Sequence, residues 1–523
     1  MQNEQRKTGF HLISFQTKTT HIPLFKNEEF EPGAKASVII GPNGSGKSQA
    51  LAALANELTN IHRIYRRKYR EPDEPKPSKR LRILGTQDEL PNLFPRKEKE
   101  ALIEADVDAR ITYALDGDVW EVSRYGREIK VRFNERSVGL ENLQFADRVL
   151  ALAHLPLDKF RFAQRADEQF YRYLGLRQSN NMTTTGALST QALVSFLEAM
   201  DRPSWNSFKI DWLERLELAS PFYIGLDFRT SKLLSASQEG EFLQIGLDYL
   251  ERRRGSASFG VTGADQDWHD GLVELWHFVK AIRPFFQFGE TTRGRKREHL
   301  VPIMPLVSGV DVSHSEIARC LLLGRKLQLF GQMRLLFTKG DQIVAFDDLS
   351  SGEQHILSTT SQLLANLGER SVVLIDEPEI SLHPDWQRQY IPSLLNTLTE
   401  SPKTHAIIAT HSHFLVSDIE EATGSLTVAN AHLGQFDTFD GDVYGRSADN
   451  ILYRVFGLGS AGNRYVEHDL ATALKMISGT EDVDLEGLRE INDRLRPLAS
   501  QDNVALREIL SSIEAFLARQ PDA

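Results

Sequence analysis

Short apolar runs separated by polar stretches predict the order of strands and helices along this chain. Ser37 to Ile40 is a β-branched run that stops at a glycine, which is typical of a buried parallel strand. After a glycine-rich turn, apolar residues recur at the spacing of one helix face, at Leu51, Leu54, Leu58 and Ile61. Residues from about 10 to 58 therefore predict strand, turn, strand, loop and helix.

The next signals predict a loop, a hairpin and another buried strand. Arg63 to Arg82 is basic and rich in proline, so we expect an exposed loop there. Ile111 to Leu115 and Val119 to Val122 flank Asp116-Gly117, a strong turn dipeptide, and predict a β-hairpin. Val149 to Ala153 is again short and apolar and predicts a buried strand.

The predicted secondary structure changes twice in the rest of the chain. From about 185 to 332 the pattern is mainly helical, and no heptad run predicts long coiled-coil arms. From 346 to 416 strand and helix signals alternate, and a largely helical tail follows. We therefore predict four parts: an N-terminal lobe over 1–184, a mainly helical insertion over 185–335, a C-terminal lobe over 336–430 and a helical tail over 431–523.

Composition narrows the function classes. The formal net charge of −11 argues against a chain that wraps nucleic acid or anionic lipid as a whole, so contact with either would need local basic patches. The single cysteine, Cys320, excludes an intrachain disulfide and is expected to be a buried apolar residue in a helix. No apolar run reaches the length of a membrane span, and Met1 to Thr8 is polar. We expect a cytoplasmic protein with no membrane role of its own.

The segment from Gly41 to Ser48 matches the P-loop pattern in full and lies between a predicted strand and a predicted helix. Its glycines let backbone N–H groups surround a phosphate at a helix N-terminus. Lys47 is expected to neutralise the β- and γ-phosphates of ATP, and Ser48 to bind Mg²⁺. The predicted nucleotide-binding residues of this loop are Asn43, Gly44, Ser45, Gly46, Lys47, Ser48 and Gln49.

Two acids follow a second apolar strand. Val372 to Ile375 ends in Asp376-Glu377, the Walker B arrangement, in which Asp376 is expected to hold Mg²⁺ and Glu377 to polarise the attacking water. About 35 residues past Asp376, His411 ends another apolar strand. A strand-terminal acid or histidine is often only structural, and the P-loop earlier in the chain favours the functional interpretation here.

Leu349-Ser350-Ser351-Gly352-Glu353-Gln354 precedes the Walker B strand by roughly 25 residues. As local structure it predicts a serine N-cap with glutamate at the third helical position, a capping box. It also resembles the signature motif of ABC ATPases, with Ser351 in place of the commoner glycine. The resemblance implies that Ser350, Gly352 and Glu353 bind the γ-phosphate held by an opposite subunit, and that His411 is the switch histidine.

Two assignments depend on the same resemblance. The stretch from Glu377 to Pro384 corresponds to the D-loop, with His383 in the neighbourhood of the usual aspartate. The Q-loop glutamine is assigned to Gln164, with Gln178 as the alternative and a solvent-exposed glutamine as the simpler explanation.

The motifs together resemble compact ABC-type ATPases of the SMC/RecF/OLD-like group, including the ATPase subunits of Septu-type, retron-associated and PARIS-type anti-phage systems. That resemblance implies an α/β fold, namely an ABC-type P-loop ATPase head with a mixed sheet, flanking helices, a largely helical insertion and a helical C-terminal tail. It implies ATP and Mg²⁺ as cofactors, a head-to-head dimer or higher oligomer, and control of an associated effector, often a nuclease. A membrane transporter is not expected, because about 300 residues separate Lys47 from Leu349.

Two other functions stay open from the sequence. A DNA-repair ATPase of the SMC/RecF type would grip DNA through the basic clusters at 63–70, 252–254 and 293–297. An OLD-like nuclease would use acids such as Asp440 and Asp442, although a polar turn explains these residues more simply.

Overall fold

The structure is a computed structural model of the 523-residue chain. It describes residues 8–25, 32–69, 107–153, 158–162, 169–175, 185–230, 232–253, 265–290, 297–303, 312–416, 423–429, 435–439, 464–478, 483–496 and 504–518.

A seven-stranded, mostly parallel sheet forms the centre of the fold, in the order β18-β17-β3-β16-β15-β8-β9. The four strands β3, β16, β15 and β8 are neighbours and run parallel. The strands of this sheet are β3 Lys35–Ile40, β8 Arg148–Ala153, β9 Tyr171–Tyr173, β15 Ser371–Asp376, β16 Thr404–Thr410, β17 Gly424–Ala429 and β18 Phe436–Thr438. The three strands predicted over 37–40, 149–153 and 372–375 are confirmed.

Both faces of the central sheet are buried, which explains why its strands read as continuous apolar runs. Val373 and Ile375 face a core shared with the insertion, whereas Val372 and Leu374 face a core shared with α1 and the second sheet. Alternate side chains along one strand thus contribute to two separate cores.

The second sheet is antiparallel, with the order β2-β1-β4-β5-β6-β7. Its strands are β1 Phe10–Thr17, β2 His21–Pro23, β4 Ala109–Leu115, β5 Asp118–Tyr125, β6 Glu128–Phe133 and β7 Arg136–Val138. The predicted hairpin is confirmed: Asp116 and Gly117 have φ of 52° and 95°, the left-handed values that a tight hairpin turn needs.

A third sheet, in the order β11-β12-β10-β13-β14, was not predicted within the region expected to be mainly helical. Its strands are β10 Ala219–Phe228, β11 Gln287–Glu290, β12 Arg297–Pro302, β13 Phe330–Lys339 and β14 Gln342–Ala345. β10 pairs with β13, more than a hundred residues later. Such pairing leaves little signal in a local window of sequence, so the helical prediction for 185–335 is right for most elements and wrong for these strands.

Thirteen helices are present in the described part of the chain. They are α1 Lys47–Tyr69, α2 Thr185–Met200, α3 Trp205–Phe208, α4 Lys232–Ser235, α5 Glu239–Arg253, α6 Asp265–Ile282, α7 His314–Lys326, α8 Ser351–Asn366, α9 Pro384–Thr397, α10 His413–Val416, α11 Arg464–Ser478, α12 Leu485–Leu495 and α13 Val504–Leu517. Cys320 is buried in α7, as predicted. None of the described helices combines the length and apolar composition needed to cross a membrane.

Two helix predictions need correction. α1 continues to Tyr69, so the first part of the basic stretch at 63–82 is helical and not a loop. Its residues up to 69 are compatible with a helix, and the first proline comes only at Pro72. The pattern from Trp205 to Leu218 also predicts a helix, but α3 ends at Phe208 and passes into a π-helical turn at Lys209–Leu213.

The contact between α2 and α8 has a polar seam. Gln191 Nε2 donates to Gln362 Oε1 at 2.7 Å, and the Arg202 guanidinium donates to the Ala365 carbonyl at 2.6 Å. Ser189, near the start of α2, donates to Asp347, three residues before Ser350. The seam therefore joins the insertion to the helix that begins with the signature motif.

The tail has a core of its own. Ala473 of α11, Leu488 and Leu495 of α12, and Ile513 of α13 are buried against one another. The described residues of the tail are mainly helical as predicted, apart from β18, which pairs with β17 at the edge of the central sheet.

Candidate functional site

The P-loop joins β3 to α1 and has the backbone that its glycines permit. Gly44 and Gly46 have φ of 81° and 94°, values that residues with a side chain rarely adopt. A Cβ on Gly41 would lie 2.4 Å from the carbonyl oxygen of Ala429, so this position also excludes a side chain. Asn43 and Gln49 are exposed.

Lys47 lies at the centre of the loop and is buried. Its Nζ donates to the carbonyl oxygens of Gly41 at 2.8 Å and Pro42 at 3.1 Å. Burial lowers the pKa of Lys47, and the neighbouring carboxylates oppose that shift. Within the described residues, the buried Ser45 hydroxyl has no hydrogen-bond partner, which suits a group whose partner is a ligand.

Ser48 and Asp376 meet although 328 residues separate them. Ser48 Oγ donates to Asp376 Oδ1 at 2.9 Å, and burial raises the pKa of Asp376 to about 6. A hydroxyl and a carboxylate are hard oxygen ligands of the kind Mg²⁺ prefers. A buried carboxylate with a raised pKa gains from a nearby cation, so the pair fits the predicted Mg²⁺ site.

Glu377 and His411 also meet at this edge. His411 Nδ1 lies 2.5 Å from Glu377 Oε2, and the imidazole is about half exposed. Glu377 has a φ of 53°, a strained value for a side-chain-bearing residue, and its N–H donates to the Ala409 carbonyl at 2.8 Å. Burial, followed by the adjacent Glu379 carboxyl, raises the pKa of Glu377 to about 9.

Glu379 is a member of the site that the sequence reasoning did not assign. It is buried, and its Oε1 accepts from the Thr410 hydroxyl at 2.6 Å and from the His411 N–H at 2.9 Å. Donor atoms of Glu377, Glu379 and His411 lie within 4.8 Å of one another, close enough to hold a cation. The sequence feature that could have identified Glu379 is its position as a second acid two residues after Glu377.

The signature motif forms the N-terminus of α8. Ser350 is the N-cap, and the predicted capping box is present: the Ser350 N–H donates to Glu353 Oε2 at 2.7 Å and the Glu353 N–H to Ser350 Oγ at 3.3 Å. Lys339 Nζ donates to Glu353 Oε1 at 3.1 Å. In the described chain, no hydrogen bond or ion pair of Ser350 or Glu353 reaches the P-loop.

Gly352 connects the signature motif to the D-loop region. A Cβ at this glycine would lie 2.6 Å from the Ser381 carbonyl oxygen. His383 caps α9, accepting at Nδ1 from the Asp385 N–H at 3.4 Å, and its side chain is 70% exposed. An exposed His383 at this position is available to a second molecule.

Several predicted residues cannot be placed. Gln164 and Gln178, and the acids Asp440 and Asp442, lie outside the described residues. The basic clusters are only partly described, with Arg66, Arg67 and Lys68 in the last turn of α1 and Arg252 in α5.

Comparison with known proteins finds similarity over parts of the chain. Residues 249–417 match the profile of a family described as "AAA domain, putative AbiEii toxin, Type IV TA system". A stretch of 74 residues is 36% identical to Protein ea59 of Escherichia phage lambda and covers 14% of this chain and 14% of that protein.

Solved structures of SMC heads are similar to the chain at low identity. The SMC head domain from Thermotoga maritima matches with a TM-score of 0.29 and 12% identity, covering 83% of this chain and 100% of that one. An Smc head domain with an extended coiled coil, bound to the C-terminal domain of ScpA and derived from Pyrococcus furiosus, matches with a TM-score of 0.27 and 12% identity, covering 82% and 96%. Over residues 249–417 the chain is therefore similar to an AAA domain, and the architecture described above is a P-loop α/β fold.

Proposed function

We propose that this protein binds and hydrolyses ATP at composite sites between two copies of itself, arranged head to head. The supporting observation is that parallel strands bring three separate motifs to one edge of the sheet. Ser48 lies 2.9 Å from Asp376, and His411 lies 2.5 Å from Glu377. Ligand sites in open α/β sheets form at this carboxyl edge.

The P-loop binds the phosphates in this proposal. Backbone N–H groups of Gly44 to Gly46 and the N-terminus of α1 face the anion, and the Lys47 ammonium exchanges its carbonyl partners for phosphate oxygens. Mg²⁺ held by Ser48 and Asp376 would supply neutralisation of phosphate charge. Asn43, Ser45 and Gln49 complete the predicted nucleotide contacts, with Gln164 as the proposed Q-loop residue.

Glu377 and His411 carry the hydrolytic step in this proposal. Glu377 accepts a proton from the attacking water in its ionised form, which the neighbouring Lys47 ammonium favours. The exposed edge of the His411 ring contacts the γ-phosphate. The second molecule contributes Ser350, Gly352 and Glu353, where the N-terminus of α8 offers backbone N–H groups to that phosphate. Each site then needs residues of both copies.

The dimer is proposed to control an effector, a nuclease encoded with it, in anti-phage defence. The resemblance of the motifs supports this role, as does the toxin named in the description of the matching family. We also propose that the protein works in the cytoplasm, where ATP is available and a single cysteine stays reduced.

ATP hydrolysis and particle mass, measured together, test this proposal. The wild type is expected to hydrolyse ATP slowly, and Glu377→Gln to bind ATP without turnover and to accumulate as a dimer or larger assembly. Glu400→Gln, the same change at an exposed residue, should match the wild type. A wild type that neither binds ATP nor changes mass would refute the proposed mechanism.

Direct grip on DNA is the second candidate, because Arg66, Arg67 and Lys68 form a basic last turn in α1. Binding should then fall steeply with salt and be lost when the three charges are reversed. If DNA binding is absent or insensitive to salt, direct grip on DNA is refuted and control of an effector remains the proposed role. The nuclease alternative predicts cleavage of DNA by the isolated chain with Mg²⁺ or Mn²⁺.

A further inference from the structure

The buried Glu379 carboxylate joins two loops that end neighbouring strands. It is only 6% exposed and follows β15, whereas its hydrogen-bond donors are the last residue of β16 and the residue after it. A carboxylate buried at this depth is costly unless hydrogen bonds and nearby charges compensate. What Glu379 contacts therefore indicates what it does.

One oxygen of Glu379 receives most of the contacts. Oε1 accepts from the Thr410 hydroxyl at 2.6 Å and from the His411 N–H at 2.9 Å, and it lies 3.2 Å from His411 Nδ1. The oxygen thus holds the backbone of His411 by a hydrogen bond and lies against its ring. The ring needs such support because about half of its surface is open to solvent.

The same ring nitrogen reaches the proposed general base. His411 Nδ1 lies 2.5 Å from Glu377 Oε2, so the imidazole bridges Glu377 and Glu379. Lys47 and Asp376 also interact electrostatically with Glu377. Any rotation of the His411 ring away from Glu379 would change its contact with Glu377.

A second connection holds the backbone of the same loops. Gln387 Nε2 donates to the Leu382 carbonyl at 2.9 Å, and the Ser412 hydroxyl donates to Gln387 Oε1 at 2.6 Å. Because this connection holds the loops together independently, loss of the Glu379 side chain should mainly disturb His411 and leave the fold in place.

We infer that Glu379 is a positioning residue, which acts through His411 to set the orientation of the Glu377 carboxyl toward the attacking water. The inference rests on the proposed ATPase function and adds a residue to that site. It predicts an effect on turnover and little effect on ATP binding, since Glu379 touches neither the P-loop hydrogen bonds nor the Ser48–Asp376 pair.

A double-mutant cycle on the full chain tests the inference. Glu379→Ala should lower kcat about 10- to 100-fold, with KM for ATP within about twofold of the wild type. Glu379→Gln should recover kcat to within about threefold, because its amide oxygen can accept from Thr410 and His411. Glu379→Ala combined with His411→Ala should be no slower than His411→Ala alone, within about twofold.

A matched control separates positioning from loss of a buried acid. Glu57 is as buried as Glu379, lies ten residues after Lys47 along α1 and binds Arg124. Glu57→Gln is expected to lower thermal stability and to leave kcat per folded molecule unchanged.

Each failure has a distinct signature. Losses that multiply in the double variant, a rise in KM at constant kcat, or no rescue by glutamine would overturn the inference while the ATPase stands. A wild type without hydrolysis would overturn the proposed function and this inference together, and Glu377→Gln would then behave like the wild type.

Discussion

Gly352 shows how a single residue fixes the distance between two loops. Its Cα lies so close to the D-loop region that a Cβ would be 2.6 Å from the Ser381 carbonyl oxygen. The Ser381 carbonyl oxygen belongs to the backbone, so it cannot move aside as the end of a flexible side chain would. The glycine of the signature motif is therefore required by packing as well as by any contact with phosphate.

We expect Gly352→Ala to lower the free energy of unfolding by about 1–3 kcal/mol, because overpacking forces the backbone to shift. Urea denaturation measures this. The control is Gly240→Ala, where no atom lies within 4 Å of the added Cβ and stability should not fall. Equal stability of Gly352→Ala and the wild type would mean that the D-loop region yields freely.

Buried histidines make stability depend on pH. Burial lowers the pKa of His11 to about 4, with a smaller effect of Lys35, and burial lowers the pKa of His355 to about 4. In the unfolded chain a histidine titrates near 6.5, so the unfolded state binds more protons below that pH. These histidines stabilise the fold fully above about pH 6.5, and that stability is lost as the pH falls toward 4.

We expect the melting temperature to fall between pH 6.5 and 4, and His355→Leu to reduce the dependence by up to about 1.4 kcal/mol per pH unit. Thermal unfolding across that range, compared with His468→Leu at an exposed histidine, measures the difference. Parallel curves for His355→Leu and the wild type would contradict the expectation.

Sequence alone led to most of the residues that meet at the site. Each of these residues belongs to a motif with a fixed place relative to a strand, namely Lys47, Ser48, Asp376 and Glu377. Because neighbouring parallel strands end at the same edge of the sheet, the motifs meet there. Glu379 could not be assigned in the same way, because its role depends on a loop that turns back toward Thr410 and His411. Local sequence does not encode that turn.

At the scale of elements, two helices begin with the same capping box and offer a matched comparison. Ser350 and Glu353 cap α8, and Ser313 and Glu316 cap α7 with the same pair of hydrogen bonds. Local helix energetics should therefore be alike at the two serines, whereas the proposed function uses only Ser350.

We expect Ser350→Ala and Ser313→Ala to lower stability similarly, by about 0.5–2 kcal/mol each, the usual effect of losing an N-cap. Only Ser350→Ala should weaken ATP-dependent dimerisation, measured by analytical ultracentrifugation in the Glu377→Gln background. Equal dimerisation by both variants would remove Ser350 from the interface.

Elements differed in how well their sequence predicted them. The buried parallel strands were correctly predicted, because both of their faces are apolar and each run is short. The insertion strands β10 and β12 were missed, since they pair with each other across the helices α4 to α6 and leave little local signal. The basic part of α1 was taken for a loop because proline density in the later half dominated the window.

For the whole molecule, the separation of motifs predicts complementation. Lys47 and Ser350 belong to opposite halves of each proposed composite site, so Lys47→Ala and Ser350→Ala chains should both be inactive alone. Mixed in equal amounts, half of the dimers are heterodimers with one intact site, and about a quarter of wild-type hydrolysis should return.

Steady-state hydrolysis of the mixture, against each variant alone, measures this recovery. Mixing Lys47→Ala with Glu377→Gln is the control, because both changes lie on the same half-site. Each chain then supplies a defective half-site with its P-loop, so no heterodimer has an intact site. Equal activity of the two mixtures would contradict a head-to-head arrangement.

The polar seam between α2 and α8 favours movement of these two helices as one rigid unit. Directional hydrogen bonds such as Gln191 to Gln362 and Arg202 to Ala365 break if either helix slides by a turn, unlike apolar contacts that tolerate slippage. If the second copy of the proposed dimer moves the start of α8, these hydrogen bonds transmit the movement to the insertion. In the proposed dimer, nucleotide binding at the interface would therefore move the start of α8 and the insertion together.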